Sequence, residues 1–315
     1  MHHQQQTTKQ TTNEPQPSEK KVTSQRMASL SEAVATAPVP SPAKLSTPET
    51  AREDFPRQGY AVIPGVLDAE TIAQLREAID RNDKKKKGKN SSNNNSKKHV
   101  MYKRVFEHHP ALCLRVFKNE TVLPIVQRLL GQCGSARPGR DSCLTVHLIH
   151  NNAFRIDPGG RGQATGWHTD DAPTFQTADG GSLPPSVVCA PLALTCMYFL
   201  NDLRSPRDGG TRVVEGSHRF GRPCTDEAAS KHPELYAACP AGSVLIISSH
   251  TWHRGSPVGE GGSSRYLFQA TYGRRLVGHK HGSVMDYQLP TKVERLLRTE
   301  EDRKLMGYLQ GGAYS

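Results

Sequence analysis

Two separated segments of the chain carry residue types that could bind a metal ion. The first is Gly166-Trp167-His168-Thr169-Asp170, and the second contains His253. Alternate residues of an extended segment point to the same side, so His168 and Asp170 could present an imidazole and a carboxylate to one ion. A histidine from a later strand would complete two histidines and one carboxylate on one face of an octahedron. Three open positions would then suit a non-haem iron oxygenase better than a closed structural zinc site.

Other interpretations of the histidines stay open. A His-x-Asp triplet is weak by itself, because a surface histidine and aspartate give the same pattern. His250 competes with His253 for the role of distal ligand. We interpret His147 and His150 as core or rim histidines, and His218 as a loop or capping residue.

Arg265 could bind an anionic ligand near the same metal. It begins the strand-like run RYLFQATYG, in which Leu267, Gln269 and Thr271 share its face. The guanidinium fork could hold the distal carboxylate of a 2-oxo acid through two hydrogen bonds. A buried arginine without an anion would be costly. An arginine that pairs with a protein carboxylate or faces water remains the alternative.

The elements around these residues change character along the chain. From residue 142 the apolar positions follow a period of two in SCLTVHLIH, and further strand-like runs are SVVCAPLALTCMYFL, TRVV, SVLIIS and RYLFQATYG. Turn residues separate these runs, and strands do not alternate with helices as in a parallel α/β sheet. The sequence therefore predicts a mainly β fold with flanking helices (α+β), in an antiparallel sandwich or jelly roll.

Helical patterns flank the strands. GYAVIPGVL predicts a short strand, and Asp68 is the N-cap of a helix in DAETIAQLREAIDR. A second helical stretch is ALCLRVFKNETVLPIVQRLLG, with Gly131 as its stop. Residues 291–315 are predicted as a C-terminal helix and tail packed on the domain.

Composition divides the chain into segments. Residues 1–52 are predicted to be a disordered low-complexity tail, since they have no aromatic and few branched apolar residues. Residues 53–290 form one domain, with a disordered Lys/Asn-rich insertion at 84–98. The net charge of the chain is +11. Seven lysines lie in this insertion, so the rest of the chain carries only about +4. The insertion has no aromatic residues for base stacking, so we expect no nucleic-acid partner. A polyanion-binding patch in the insertion is the alternative.

Cysteine usage and hydropathy bear on the compartment. The seven cysteines are scattered and form no CxxC pair, which favours reduced thiols in an intracellular, cytoplasmic protein. No apolar run is long enough for a membrane span, and the polar start has no apolar segment typical of a secretory signal. The sequence predicts no particular oligomeric state.

Three motif blocks together resemble the phytanoyl-CoA dioxygenase family of Fe(II)- and 2-oxoglutarate-dependent oxygenases. They are the HTD at residues 168–170, the block MYFLNDLRSPRDGGTRVVEGSHRFG, and the block AGSVLIISSHTWHRGSP followed by Arg265. The segment FPRQGYAVIPGVLDAE also resembles the family's opening. The likeness covers residues 54–275. One departure is Glu215, where the family usually has a proline.

The resemblance implies a double-stranded β-helix core, cupin-like, and a set of site residues. Fe(II) would be bound by His168, Asp170 and His253. His253 is favoured over His250 as the distal ligand because the Gly-Ser-Pro that follows it matches the family. Arg265 would form a salt bridge with 2-oxoglutarate, O₂ would be the second cosubstrate, and ascorbate is left open as a reductant. Met197 and Lys103 match positions near the cosubstrate, although a core methionine and a solvent-facing lysine explain them as well.

The activity implied by the resemblance is hydroxylation of an unactivated C–H bond of a small-molecule or lipid-like substrate, with release of succinate and CO₂. The carboxylate of Asp170 favours hydroxylation over halogenation, because related halogenases have a small residue there. The alternative is a non-catalytic binding or regulatory protein of the same jelly-roll fold, since a fold does not establish activity. The sequence does not identify the substrate.

Overall fold

The structure is a computed structural model of the chain. It describes residues 40–89, 99–131, 146–159, 166–170, 173–175, 182–184, 186–187, 190–282 and 286–308. Side chains are not described within residues 83–89. The predictions for residues 1–39 and 90–98, and for Cys133, Cys143 and Cys189, fall outside these ranges.

The described strands form two sheets that are antiparallel except for one pair. The strands are β1 (Ser41–Pro42), β2 (Tyr60–Ile63), β3 (His99–Lys103), β4 (Val146–Ile156), β5 (Ala193–Phe199), β6 (Arg212–Val214), β7 (Glu234–Tyr236), β8 (Val244–Ser248), β9 (His253–Arg254) and β10 (Arg265–Arg274). The major sheet has the order β2-β8-β5-β10-β4-β3, and the minor sheet has the order β1-β7-β6-β9. Only β1 and β7 pair in parallel among the described strands.

Among the described residues, four α-helices precede β4, one short helix lies between β6 and β7, and two follow β10. They are α1 (Pro48–Gln58), α2 (Ala69–Lys89), α3 (Pro110–Phe117), α4 (Val122–Leu130), α5 (Asp226–Ala229), α6 (Thr291–Glu294) and α7 (Glu300–Leu305). No helix among the described residues is long and apolar enough to cross a membrane.

The major sheet is covered on both faces, which explains the nearly continuous apolar run of β5. Leu194, Cys196 and Tyr198 belong to a large core that also contains residues of α2, α3 and α4. The intervening Met197 and Phe199 belong to a second core shared with Val213 of the minor sheet. Helices therefore pack on one face of the major sheet, and the minor sheet covers the other.

Helix α1 begins at Pro48, before the predicted domain boundary at residue 53. Thr47 and Thr50 form a reciprocal capping box at the start of α1, and Pro48 occupies its first turn. Ala51 and Phe55 are buried in the large core. Thr47, Pro48 and Thr50, which the sequence assigned to a low-complexity tail, therefore start a helix.

Helix α2 also extends beyond its predicted end. It continues to Lys89, inside the stretch predicted as a disordered insertion from residue 84. Lysine is a good helix former, so a run of lysines does not itself end a helix. The rest of that insertion lies outside the described residues.

The second helical stretch consists of two helices instead of one. The side chain of Asn119 accepts hydrogen bonds from the backbone N–H of Thr121 (3.1 Å) and of Val122 (3.0 Å), which starts α4 as a new helix. The C-terminal stretch is likewise two short helices, since Thr299 and Asp302 form a capping box at the start of α7.

Candidate active site

A backbone bridge joins the two segments that carry the metal-ligand candidates. His168 N–H donates to His253 O at 3.1 Å, and His253 N–H donates to His168 O at 3.0 Å. Asp170 N–H donates to Ser249 O at 3.0 Å. A single bridge therefore connects the HTD segment to β9, and the segment is not part of a regular strand.

A buried tryptophan precedes each histidine of this pair. Trp167 and Trp252 belong to one apolar cluster beside the site. Asp226 accepts a hydrogen bond from the Trp167 backbone N–H at 2.9 Å, and the Ser217 hydroxyl accepts one from the Trp252 backbone N–H at 2.9 Å. These contacts fix the backbone on which both imidazoles stand.

The second nitrogen of each imidazole is left for a ligand bond. His168 Nδ1 lies 3.1 Å from Gly166 O, and His253 Nδ1 lies 2.9 Å from Thr251 O. A carbonyl oxygen only accepts, so each Nδ1 must carry the proton in these hydrogen bonds. Each neutral imidazole then has its lone pair on Nε2, as a metal ligand requires.

The ligand atoms of His168, Asp170 and His253 all lie within 4.8 Å of one another. His253 Nε2 is 3.7 Å from Asp170 Oδ1. This separation is too long for a hydrogen bond, and it suits two ligands of one ion, each about 2.0–2.2 Å from the metal. The donor set of two neutral imidazoles and one carboxylate fits Fe(II) with three positions open.

Electrostatics favour the protonation states that bind metal. Burial lowers the pKa of His253, with an opposing contribution from Asp170. Burial by itself would raise the pKa of Asp170, but the charge of His253 and the Thr195 hydrogen bond bring that pKa below its usual value. The site therefore holds a neutral imidazole and an ionised carboxylate in close contact at neutral pH.

Thr195 is a functional-site residue that the sequence did not reveal. Its hydroxyl donates to Asp170 Oδ2 at 2.9 Å, and it lies 3.2 Å from the hydroxyl of Thr271. Thr195 stands in the apolar run of β5, where a threonine is an ordinary strand residue. Only the folded structure brings Asp170 to it.

Among the described residues, the group that could hold a metal ion includes none of the other histidines singled out in the sequence. His250 packs beside Phe175, with ring centroids 5.5 Å apart, and it does not line the cavity. His218 Nε2 donates to Pro56 O at 3.0 Å, which agrees with a loop role. His147 is buried, and its pKa is lowered by burial. His150 lines the cavity beside the triad but is not part of the group that could hold a metal ion.

The triad opens into a cavity of about 290 Å³. Residues from β3, β4, β5, β10 and the minor-sheet side line it: His99, His150, Asn152, Phe154, Ile156, His168, Asp170, Met197, Thr211, His253, Gly255, Arg265, Leu267, Gln269, Thr271 and Lys280. The four β10 residues among them are those that strand alternation assigned to one face. The cavity therefore joins the metal-ligand candidates to Arg265.

Arg265 is buried beside this cavity without a protein carboxylate. It is 5% exposed, and its Nη1 donates to the backbone oxygen of Gly209. No salt bridge to it is found among the described residues, and its Nε has no hydrogen-bond partner there. Burial lowers its pKa to about 10, so the guanidinium remains charged at neutral pH. A buried cation with unused donors favours an anionic ligand.

The two further cosubstrate candidates differ in position. Met197 lines the cavity, and its sulfur accepts a hydrogen bond from the Thr211 hydroxyl at 3.6 Å. Lys103 is exposed at the end of β3 and does not line the cavity, although its strand neighbour Asn152 does. The structure brings Met197 to the site and leaves Lys103 at its edge.

Sequence reasoning also missed Lys280. It follows β10, where no periodic pattern assigns a side chain to a face, and its backbone N–H donates to Ile149 O at 2.7 Å. Its side chain lines the cavity, and its charge contributes to lowering the pKa of Asp170. Its neighbours His279 and His281 stack on each other, with ring centroids 5.3 Å apart. The cavity thus contains a second cation besides Arg265.

Comparison with protein families identifies one match across most of the domain. The family model described as "Phytanoyl-CoA dioxygenase (PhyH)" matches residues 55–265. Two curated relatives are ectoine dioxygenases: that of Nocardia farcinica is 25% identical over 183 residues, and that of Stutzerimonas stutzeri is 26% identical over 229 residues. The first alignment covers 56% of this chain and the second 64%. The chain spans about half of the first relative, 53%, and 68% of the second.

Solved structures share the fold. HygX of Streptomyces hygroscopicus, solved with nickel and 2-oxoglutarate bound, has a TM-score of 0.52 at 17% identity, covering 75% of this chain and 90% of that one. The carbocyclase SnoK from nogalamycin biosynthesis has a TM-score of 0.52 at 20% identity, covering 76% of this chain and 91% of that one. The likeness confirms the predicted jelly-roll fold.

Proposed function

Since the chain belongs to the phytanoyl-CoA dioxygenase family, we propose that it is an Fe(II)- and 2-oxoglutarate-dependent dioxygenase that hydroxylates an unactivated C–H bond of a small polar molecule. One observation carries the proposal. The cavity that contains the triad of His168, Asp170 and His253 also contains Arg265, a buried cation that lacks a protein carboxylate among the described residues. Family membership agrees with the resemblance seen in the sequence motifs.

Each residue of the site has a separate task. The Nε2 atoms of His168 and His253 and the carboxylate of Asp170 would hold the iron. Arg265 would bind the distal carboxylate of 2-oxoglutarate through donors that the protein leaves unused, and Met197 would lie against the same cosubstrate. When bound, iron and 2-oxoglutarate supply the oxidising chemistry, with release of succinate and CO₂. The protein positions one substrate C–H bond and limits access of water.

The cavity lining supports a polar substrate over a lipid-like one. His150, Asn152, Gln269 and Lys280 line it without belonging to the triad or the arginine site. The side-chain oxygen of Asn152 is buried and has no hydrogen-bond partner among the described residues. An apolar ligand would leave such groups unpaired, at a cost of about 1–3 kcal/mol for each buried group. Lys280 favours a substrate that carries an anionic group.

The relatives are consistent with a small-molecule substrate. The two curated relatives are named for ectoine, and one solved structure of HygX contains hygromycin B. These names describe those proteins. For this chain they support a search among small polar metabolites before lipids and acyl-CoA thioesters.

The deciding experiment needs no knowledge of the substrate. Protein reconstituted anaerobically with Fe(II) is given 2-oxoglutarate and O₂, and succinate and O₂ uptake are measured for the wild type, His168→Ala and Arg265→Ala. The exposed Arg204, which pairs with Asp202, supplies the control variant Arg204→Ala. Iron-dependent succinate that is lost in the first two variants and kept in the control supports the oxygenase. No turnover despite binding of metal and 2-oxoglutarate favours the non-catalytic binding protein.

The substrate class is tested on the same reconstituted protein. Matched pairs of small carboxylic acids and their primary amides are compared for stimulation of succinate formation, together with long-chain fatty acids. Stimulation by acids that decreases in Lys280→Gln supports a polar, anionic substrate. Stimulation by the long-chain lipids alone would contradict it.

Two wider predictions remain proposals of the same kind. The described thiols of Cys113, Cys196 and Cys239 are free and buried, which suits a reducing compartment such as the cytoplasm. Deletion of residues 84–98 is expected to leave turnover intact. If the deletion abolishes salt-sensitive binding to a polyanion, the lysine run has a binding role of its own.

A further inference from the structure

We propose that Thr195, supported by Thr271, is a positioning residue that makes Asp170 bind the metal through Oδ1 alone. The inference rests on the proposed function, because it concerns the same metal. It assigns a role to two hydroxyl groups that are neither metal ligands nor contacts of the cosubstrate carboxylate. Both stand on β5 and β10, two neighbouring central strands of the major sheet.

The direction of the hydrogen bonds follows from their chemistry. An ionised carboxylate only accepts, so the Thr195 hydroxyl must donate to Asp170 Oδ2, at 2.9 Å. The single hydroxyl proton of Thr195 is then used. The contact of 3.2 Å between the two threonine oxygens therefore requires Thr271 as the donor. The result is a relay with one direction, from Thr271 to Thr195 to Asp170.

The relay is rigidly held. Thr195 and Thr271 are direct cross-strand partners on β5 and β10. Thr195 is 0% exposed and Thr271 is 5% exposed. Burial of a hydroxyl among apolar residues is costly unless it is hydrogen-bonded, so the two threonines and the aspartate satisfy one another. A pair held in this way has little freedom to turn away from Asp170.

The relay makes the two carboxylate oxygens of Asp170 different. Oδ2 accepts from Thr195, whereas Oδ1 lies 3.7 Å from His253 Nε2 on the side of the other ligands. Binding through both oxygens would make Oδ2 serve the metal and the Thr195 hydroxyl at once, so the Thr195 hydrogen bond disfavours that arrangement. It would also occupy one of the three positions that a two-pronged 2-oxo acid and O₂ require. Thr195 therefore favours the arrangement that leaves those positions open.

The expected effect has a known scale. Hydrogen-bond partners of metal ligands, when removed, change metal affinity or activity by about 10–100-fold. Thr195→Val keeps the shape of the side chain and removes the donor. Thr271→Val removes only the bond behind it, so a smaller effect of several-fold is expected. Thr195→Ser restores a hydroxyl and is expected to restore affinity.

The test uses Co(II) as the probe, in the folded apoprotein and without turnover. Titration gives the affinity, and the visible spectrum of Co(II) reports how many ligands surround it. A matched control is Thr71→Val, another buried threonine, on α2 and outside the cavity. We expect Thr195→Val to lose affinity about 10–100-fold and to change the spectrum, while Thr195→Ser and Thr71→Val behave as the wild type.

The outcomes separate the two proposals. A wild type that does not bind Co(II) contradicts the proposed function itself. A Thr195→Val variant that binds Co(II) with wild-type affinity and spectrum overturns the relay and leaves the function standing. If Thr195→Val does not fold, Thr271→Val decides: an unchanged affinity and spectrum overturns the relay, and a several-fold loss supports it.

Discussion

His168 and His253 are joined through their backbones by a pair of hydrogen bonds of 3.1 and 3.0 Å, and their rings lie with centroids 4.3 Å apart. The position of the backbone that carries each imidazole is thus set by main-chain pairing and by the contacts of the buried tryptophan before it. This separates metal binding from folding.

The first prediction is that His168→Ala and His253→Ala fold and do not bind metal. The backbone bridge and the tryptophan contacts remain in both variants, so the free energy of unfolding of the apoprotein is expected to change by less than about 1–2 kcal/mol. Metal binding is measured by Co(II) titration, and stability by urea unfolding. His250→Ala is the control and should bind Co(II) normally; loss of binding in this variant would make His250 the distal ligand.

The second prediction concerns the arginine fork. Arg265→Lys keeps a positive charge but cannot donate two parallel hydrogen bonds, so the affinity for 2-oxoglutarate should fall by about 10–100-fold. Calorimetry on the anaerobic metal-loaded protein measures the dissociation constant. The comparison ligand is 2-oxobutyrate, which lacks the distal carboxylate and should bind wild type and variant alike. Equal weakening for both ligands would mean that Arg265 acts elsewhere.

The sequence predicted the parts of the site that depend on local geometry. His168 and Asp170 are two residues apart in an extended segment, and Arg265, Gln269 and Thr271 alternate along one strand, so their shared faces followed from period two. The fold followed from the same alternation together with the turn residues.

The parts that the sequence did not predict depend on long-range contacts. Thr195 has its role because it contacts Asp170 and its cross-strand partner Thr271, and both are distant from it in the sequence. Lys280 follows the last strand, where no period applies. The division into α3 and α4 depended on a single cap by Asn119 inside a continuous helical pattern. Sequence patterns predict which residues share one face of a strand or helix. They do not predict which faces pack against each other in the fold.

The third prediction is a pH dependence of stability that originates at His218. Burial lowers its pKa to about 4, and its Nε2–H donates to Pro56 O. The pKa of a histidine in the unfolded chain is about 6.5, so the contribution of His218 to the free energy of unfolding is fully present above that pH. This contribution is lost as the pH falls from about 6.5 to 4. The free energy of unfolding decreases by about 2 kcal/mol between pH 7 and pH 5.

The variant His218→Gln isolates this contribution. It cannot take up a proton, so its free energy of unfolding should fall less than that of the wild type between pH 7 and pH 5. Urea unfolding of the apoproteins at both pH values gives the two differences. Equal pH dependence in wild type and variant would place the acid sensitivity at other buried histidines, such as His281, whose pKa burial lowers to about 3.

The last prediction compares two glycines that share a backbone conformation and differ in their surroundings. Gly59 has φ +78° and Gly65 has φ +69°, both in the left-handed region that costs a non-glycine residue about 1–2 kcal/mol. A Cβ on Gly59 would lie 2.4 Å from His218 Nδ1, whereas one on Gly65 would meet nothing within 4 Å. Gly59→Ala should therefore destabilise the protein by about 1–3 kcal/mol more than Gly65→Ala, because a buried ring must move. Urea unfolding measures both values, and equal losses would show that His218 yields without cost and does not fix the turn between α1 and β2.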